Sequence, residues 1–222
     1  HNKILQIIVD ETNELSEKYG DDRKTEIVAD EVEQINVEDM IKDEDMVVMI
    51  SRLGYIKRVS VEKYKKQGRG GTGSNGTNLL EDDYVNQLFI GSTKEHLLFI
   101  TNIGKAYWVK IHEIPEAEKT SRGAHIKGLL QVGPDEEITA IVSLMNFSDD
   151  LYIFMTTSNG VVKKVRSSEF ARAKTRGIIG IKLNDGDKLI SAIATKGDSD
   201  IMLISRRGKG LRFKDSSVRS MG

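Results

Sequence analysis

Along this 222-residue chain the spacing of apolar positions changes character once. Ile4, Leu5, Ile8 and Leu15 recur at helical spacing among Asn, Asp, Glu and Lys, which predicts an amphipathic helix over residues 1–20. Gly20 then supplies a natural C-terminal stop. Residues 21–45 are acidic and weakly periodic and read as a connector. From Met46 onward, short apolar runs alternate with glycine-centred turns, and the period becomes that of β-strands.

The strand-like part repeats. Met46-Val47-Val48-Met49-Ile50 leads to a turn at Gly54, Leu97-Leu98-Phe99-Ile100 to Gly104, Leu151-Tyr152-Ile153-Phe154-Met155 to Gly160, and Ile201-Met202-Leu203-Ile204 to Gly208. Ser51, Thr101, Thr157 and Ser205 each stand three places before the glycine. A second run follows each turn, so every unit predicts a hairpin whose glycine supplies positive φ. The turn glycines lie 50, 56 and 48 residues apart, and a second landmark keeps phase with them: Arg69-Gly70, Arg122-Gly123 and Arg176-Gly177. A period of about 50 residues with about four short strands per unit predicts a mainly β fold of propeller-like blades, as an incomplete or open array.

Charge divides along the same boundary. The net charge of −1 conceals a net of −10 in residues 1–46 and +9 in residues 47–222. That asymmetry points to a polyanionic partner for the repeats, or to ordinary solvated surface. Basic residues recur just after each turn: Lys57 and Arg58, Lys105 and Lys110, Lys163, Lys164 and Arg166, Lys209, Arg212 and Lys214. With Arg122 and Arg176 they compose a candidate perimeter for duplex DNA, since equivalent positions of stacked blades fall on one rim.

The run Gln67-Gly68-Arg69-Gly70-Gly71-Thr72-Gly73 matches G-x-G-x-x-G, but a dinucleotide site needs a buried strand before it and a helix after it. Lys63-Tyr64-Lys65-Lys66 is too polar for the first, and Ser74-Asn75-Gly76-Thr77 is a poor helix start. A flexible surface loop and a phosphate-contacting loop remain, the latter served by Lys65, Lys66 and Arg69. No catalytic or metal site emerges. The histidines lack ligand spacing, and Asp82-Asp83 reads as a loop or helix cap rather than a catalytic dyad. Trp108, beside Tyr107 in an apolar run, reads as core. The absence of cysteine excludes disulfides and Cys-based metal sites. The N-terminus is not a signal peptide, and no run is long and apolar enough to span a membrane.

Four stretches carry a resemblance: Lys18-Tyr19-Gly20-Asp21-Asp22-Arg23-Lys24-Thr25-Glu26-Ile27, the glycine-rich run 67–73, Asn159-Gly160-Val161-Val162-Lys163-Lys164, and Arg212-Phe213-Lys214-Asp215-Ser216-Ser217-Val218-Arg219-Ser220-Met221-Gly222. The whole chain resembles bacterial DNA gyrase A subunits, from the end of the breakage–reunion region into the C-terminal domain. The run 67–73 is similar to the gyrase-A box, Gln-Arg-Arg-Gly-Gly-Lys-Gly, with two cations removed at Gly68 and Thr72. The resemblance implies a β-pinwheel of four-stranded blades over residues 46–222, preceded by the last breakage–reunion helix (1–24) and an acidic connector (25–45). It implies a domain that wraps double-stranded DNA so that the holoenzyme introduces negative supercoils. The implied partners are the rest of the gyrase A subunit, together with the gyrase B subunit, in bacterial cytoplasm beside the nucleoid. The catalytic tyrosine and the site for ATP and magnesium lie elsewhere in that assembly, so this chain needs no cofactor. The A-type subunit of topoisomerase IV and a propeller-like protein-interaction scaffold are the alternatives.

Overall fold

The computed structural model describes residues 2–21, 25, 40–64 and 77–222. They fall into two compact units, His1–Asn36 and Val37–Gly222. The first contains helix α1 (Asn2–Tyr19), where the apolar spacing predicts it, with Gly20 N–H closing onto the Ser16 carbonyl at 2.8 Å.

The second unit is built from hairpins. β1 (Asp45–Ser51) and β2 (Tyr55–Ser60), β4 (His96–Thr101) and β5 (Lys105–Lys110), β8 (Tyr152–Thr157) and β9 (Val162–Arg166), and β12 (Asp200–Ile204) and β13 (Gly210–Lys214) pair antiparallel. The turn glycines Gly54, Gly104, Gly160 and Gly208 have φ between 79° and 86°, the left-handed region that favours glycine. The recurring Ser or Thr has a local cause. Its hydroxyl accepts the N–H of the residue after the glycine, at 3.1 Å for Ser51, 3.3 Å for Thr101, 3.2 Å for Thr157 and 3.0 Å for Ser205. The loop is thus closed by a side chain where a ladder bond would otherwise stand.

A third strand lies beside the first strand of three hairpins: β3 (Val85–Ser92) on β1, β7 (Ile138–Leu144) on β4 and β11 (Leu189–Thr195) on β8. The fourth strand is borrowed. β6 (Ala124–His125) follows the Arg-Gly landmark of the second repeat and pairs with β2 of the first. β10 (Ile178–Ile179) follows the landmark of the third repeat and pairs with β5 of the second. The resulting orders are β3-β1-β2-β6 and β10-β5-β4-β7, followed by β11-β8-β9 and the pair β12-β13. The first two sheets have the four strands expected per blade, the last two have three and two, and the exchange between successive repeats is not legible in the sequence.

Sheets packed on both faces need apolar residues on both faces, which explains the unbroken apolar runs. Along β4, Leu97 and Phe99 join Met46, Val48, Ile50 and Ile56 of the first repeat. Leu98 and Ile100 point the other way, to Ile153, Met155, Leu189 and Ala192 of the third. All four of these β4 side chains are fully buried.

Candidate nucleic-acid interface

The first two sheets each have two unlike edges. β3 and β7 form one edge, as β11 does in the third sheet, and in the first two the other edge carries the borrowed strand with the connector that leads into it. These connectors, 115–123 and 171–177, each start after a short 3-10 helix (Ile111–Glu113 and Ser167–Phe170) and end at the landmark glycine. Gly123 and Gly177 have φ of 91° and 76°. A Cβ at Gly123 would strike the Ile56 carbonyl, and one at Gly177 the Tyr107 ring, so only glycine lets the connector lie flush on the preceding repeat.

The perimeter expected from sequence divides into two sets. Lys57 and Lys164 do not belong to it: they are 1% and 5% exposed. Lys57 Nζ donates to the carbonyls of Lys119 (2.6 Å) and Ser121 (2.7 Å), and burial pushes its ammonium below the usual lysine range. Lys164 Nζ donates to the Asp215 carbonyl at 2.7 Å. Their stems run through the interior while their charge satisfies carbonyls of the following repeat, so neither is available to a phosphate. Arg58 is also turned inward, with Nε on the Ile114 carbonyl at 2.6 Å and a 3.6 Å ion pair to Glu116.

Several other cations have internal partners. Lys163 donates to the Gly180 carbonyl (3.0 Å) and Lys105 pairs with Glu136 (3.5 Å). Arg212 and Lys214 share Asp200 at 2.9 and 3.3 Å. Lys110 is half-buried. Besides Arg212 and Lys214, the exposed members are Arg122, whose guanidinium lies 5.3 Å from the Tyr55 ring centroid, together with Arg166, Arg176 and Lys209. Lys65, Lys66 and the run 67–73 lie outside the described residues.

Two exposed cations absent from the expected set, Arg172 and Lys174, share the connector of Arg176. A signal for Lys174 existed. Lys174-Thr175-Arg176-Gly177 parallels Lys119-Thr120-Ser121-Arg122-Gly123, so lysine recurs before the landmark arginine.

Trp108 is partly buried against the core of the second and third repeats, and its indole N–H reaches the carbonyls of Phe170 (3.1 Å) and Ala171 (3.2 Å). Asp83 caps a turn, accepting the N–H groups of Leu53 and Tyr84 at 3.0 Å each. Burial works to raise its carboxyl, but the Ser51 hydroxyl, those two N–H groups and nearby Arg52 hold it below the usual carboxylate range. Asp187 does the same in the third repeat. The hydroxyls of Thr157 and Ser158 and the N–H groups of Asn159 and Lys188 outweigh burial and hold its carboxyl down at about 2. Among the described residues no group of His, Asp and Glu is arranged to hold a metal ion, and no helix is long and apolar enough to cross a membrane.

Strand-exchanged hairpin sheets stacked face to face, with cations along one edge, define a propeller-like repeat domain. The family described as DNA gyrase C-terminal domain, beta-propeller, matches residues 45–92, 95–145, 151–196 and 199–222, one block per repeat, and the chain belongs to it. The DNA gyrase A subunit of Treponema pallidum is 50% identical over 220 residues, 99% of this chain and 27% of that protein. That of Escherichia coli K12 is 42% identical over 205 residues, 92% of this chain and 23% of that protein. The chain thus spans about a quarter of the length of these curated relatives. Among solved structures, a DNA gyrase A C-terminal domain aligns with TM-score 0.64 at 32% identity, covering 80% of this chain and 57% of that one. The C-terminal domain of a DNA topoisomerase IV aligns with TM-score 0.68 at 27% identity, covering 82% and 55%. The chain is therefore gyrase-A C-terminal material in family and in fold.

Proposed function

We propose that this chain binds duplex DNA along the connector edge of its repeats and bends it, so that a gyrase holoenzyme can introduce negative supercoils with ATP. The observation that carries this reading is the recurrence of an exposed arginine, Arg122 and then Arg176, before a positive-φ glycine at the same place in successive repeats. Cations at equivalent places in stacked units present charge at regular steps, which suits a backbone whose phosphates also repeat. Bending a site of 20–30 base pairs by 40–90° costs on the order of 1–6 kcal/mol, and phosphate contacts offset it without base specificity. The chain acts without a cofactor. Strand breakage and ATP hydrolysis belong to the rest of the A subunit, and to the B subunit, with which it works beside the nucleoid.

The test is binding of a long duplex as a function of salt, with linking number measured after ligase closure by a gyrase assembled with this chain. The expected result is a steep loss of affinity with salt and a change in linking number. Salt-insensitive binding, or an unchanged linking number, overturns the proposal. Similarity to a topoisomerase IV domain at TM-score 0.68 supports a second reading. Relaxation and decatenation without net negative supercoiling would establish that one instead.

A further inference from the structure

We infer that connector 171–177 is the dominant phosphate-contacting loop of the described repeats, and that Trp108 of the preceding repeat is its positioning residue; this rests on the duplex-binding reading above. The two described connectors differ in charge. Residues 115–123 hold Glu116 and Glu118 against Lys119 and Arg122, a net of zero, whereas 171–177 hold Arg172, Lys174 and Arg176 with no acid, a net of +3. The cations of the first are also engaged: Lys119 Nζ lies 4.9 Å from the Tyr64 ring centroid and Arg122 lies over Tyr55. The two acids draw in Lys63 at 3.5 and 3.6 Å. In 171–177 exposure alternates. Arg172, Lys174 and Arg176 are exposed while Ala173 is fully buried and Thr175 half-buried, so every second residue turns a cation to solvent. Among the described residues none of these three cations has an ion-pair or ring partner.

The loop is held in a form it would not adopt freely. Lys174 has φ of 39°, the one positive value among described non-glycine residues. Its carbonyl accepts the backbone N–H of Trp108 at 3.1 Å, and the Trp108 indole N–H grips the start of the loop at Phe170 and Ala171. Gln131 N–H holds the Thr175 carbonyl at 2.9 Å. The donor at this repeat position is Arg58 in the first repeat and Lys164 in the third, each reaching a carbonyl at or just after the next repeat's 3-10 helix. Carbonyls are thus turned inward and cations outward. A loop fixed in this way loses little conformational entropy when it meets a duplex.

The experiment measures binding of this chain to a long duplex over a range of salt. Replacing all three cations (Arg172→Ala, Lys174→Asn, Arg176→Ala) should make the slope of log affinity against log salt shallower by about 3 and weaken binding on the order of tenfold or more. Asparagine retains the left-handed backbone at 174. A charge-matched triple at the β12–β13 turn (Arg206→Ala, Arg207→Ala, Lys209→Ala) should lose less. Trp108→Phe keeps a ring beside His96 and Phe147 but removes the indole N–H. It should weaken binding roughly two- to tenfold alone and add nothing in the triple background. An unchanged slope in the connector triple, equal losses from the two triples, or an additive Trp108→Phe effect overturns the inference. Failure of the unaltered chain to bind in a salt-dependent way overturns the duplex-binding reading instead.

Discussion

A buried ammonium is tolerated only where carbonyls take the place of water, and Lys57 sits beneath two of them. The sequence marks Lys57, Lys163 and Lys164 as equals in a basic stripe, because the partners that bury two of them are supplied by the following repeat. Turn residues are different. The glycine, the Ser or Thr three places before it and the hairpin are local to one another, and all were readable. Asp187 is local in space but 28 and 29 residues from Asn159 and Ser158 of the turn it caps. Its folded value of about 2 lies below the ordinary aspartate value of about 3.9. The stability it contributes is therefore complete above about pH 4 and is lost as pH falls toward 2. Acid unfolding followed by circular dichroism should show that loss in the native chain. In Asp187→Asn the chain should start less stable near neutrality and depend less on pH over the same window.

At the level of elements, strands sandwiched between neighbours behave unlike those at the array's first sheet. Leu98 is fully buried between repeats, whereas Ile90 on β3 is 61% exposed. Leu98→Ala should cost about 2–5 kcal/mol in urea denaturation, and Ile90→Ala should stay within about 0.5 kcal/mol. Both residues look alike in the sequence, as apolar positions in strand-like runs. Position in the stack decides the difference. Strand length sets a second limit on legibility: β6 and β10 are two residues each, too short to carry a period, and only the arginine-glycine pair before them announces their place.

For the whole array, exchange couples the first blade to the second and the second to the third. Gly177→Ala would press a methyl group on the Tyr107 ring and strain a positive-φ backbone. Its damage should appear in the preceding repeat. Amide hydrogen exchange should accelerate in β5, whose Lys105 and Ala106 pair with β10, more than in β8 and β9 of the glycine's own repeat. Uniform acceleration across all repeats would contradict a nearest-neighbour coupling.

The borrowed strand also gives the array a direction in time. A ribosome releases the chain from its N-terminus, so β2 emerges with an open edge and keeps it until Ala124 and His125 follow, and β5 waits in turn for Ile178 and Ile179. Each nascent sheet is therefore completed by a later segment. Until then its edge is free to pair with a neighbouring nascent chain, a hazard that grows where translation pauses between one hairpin and the next arginine-glycine pair.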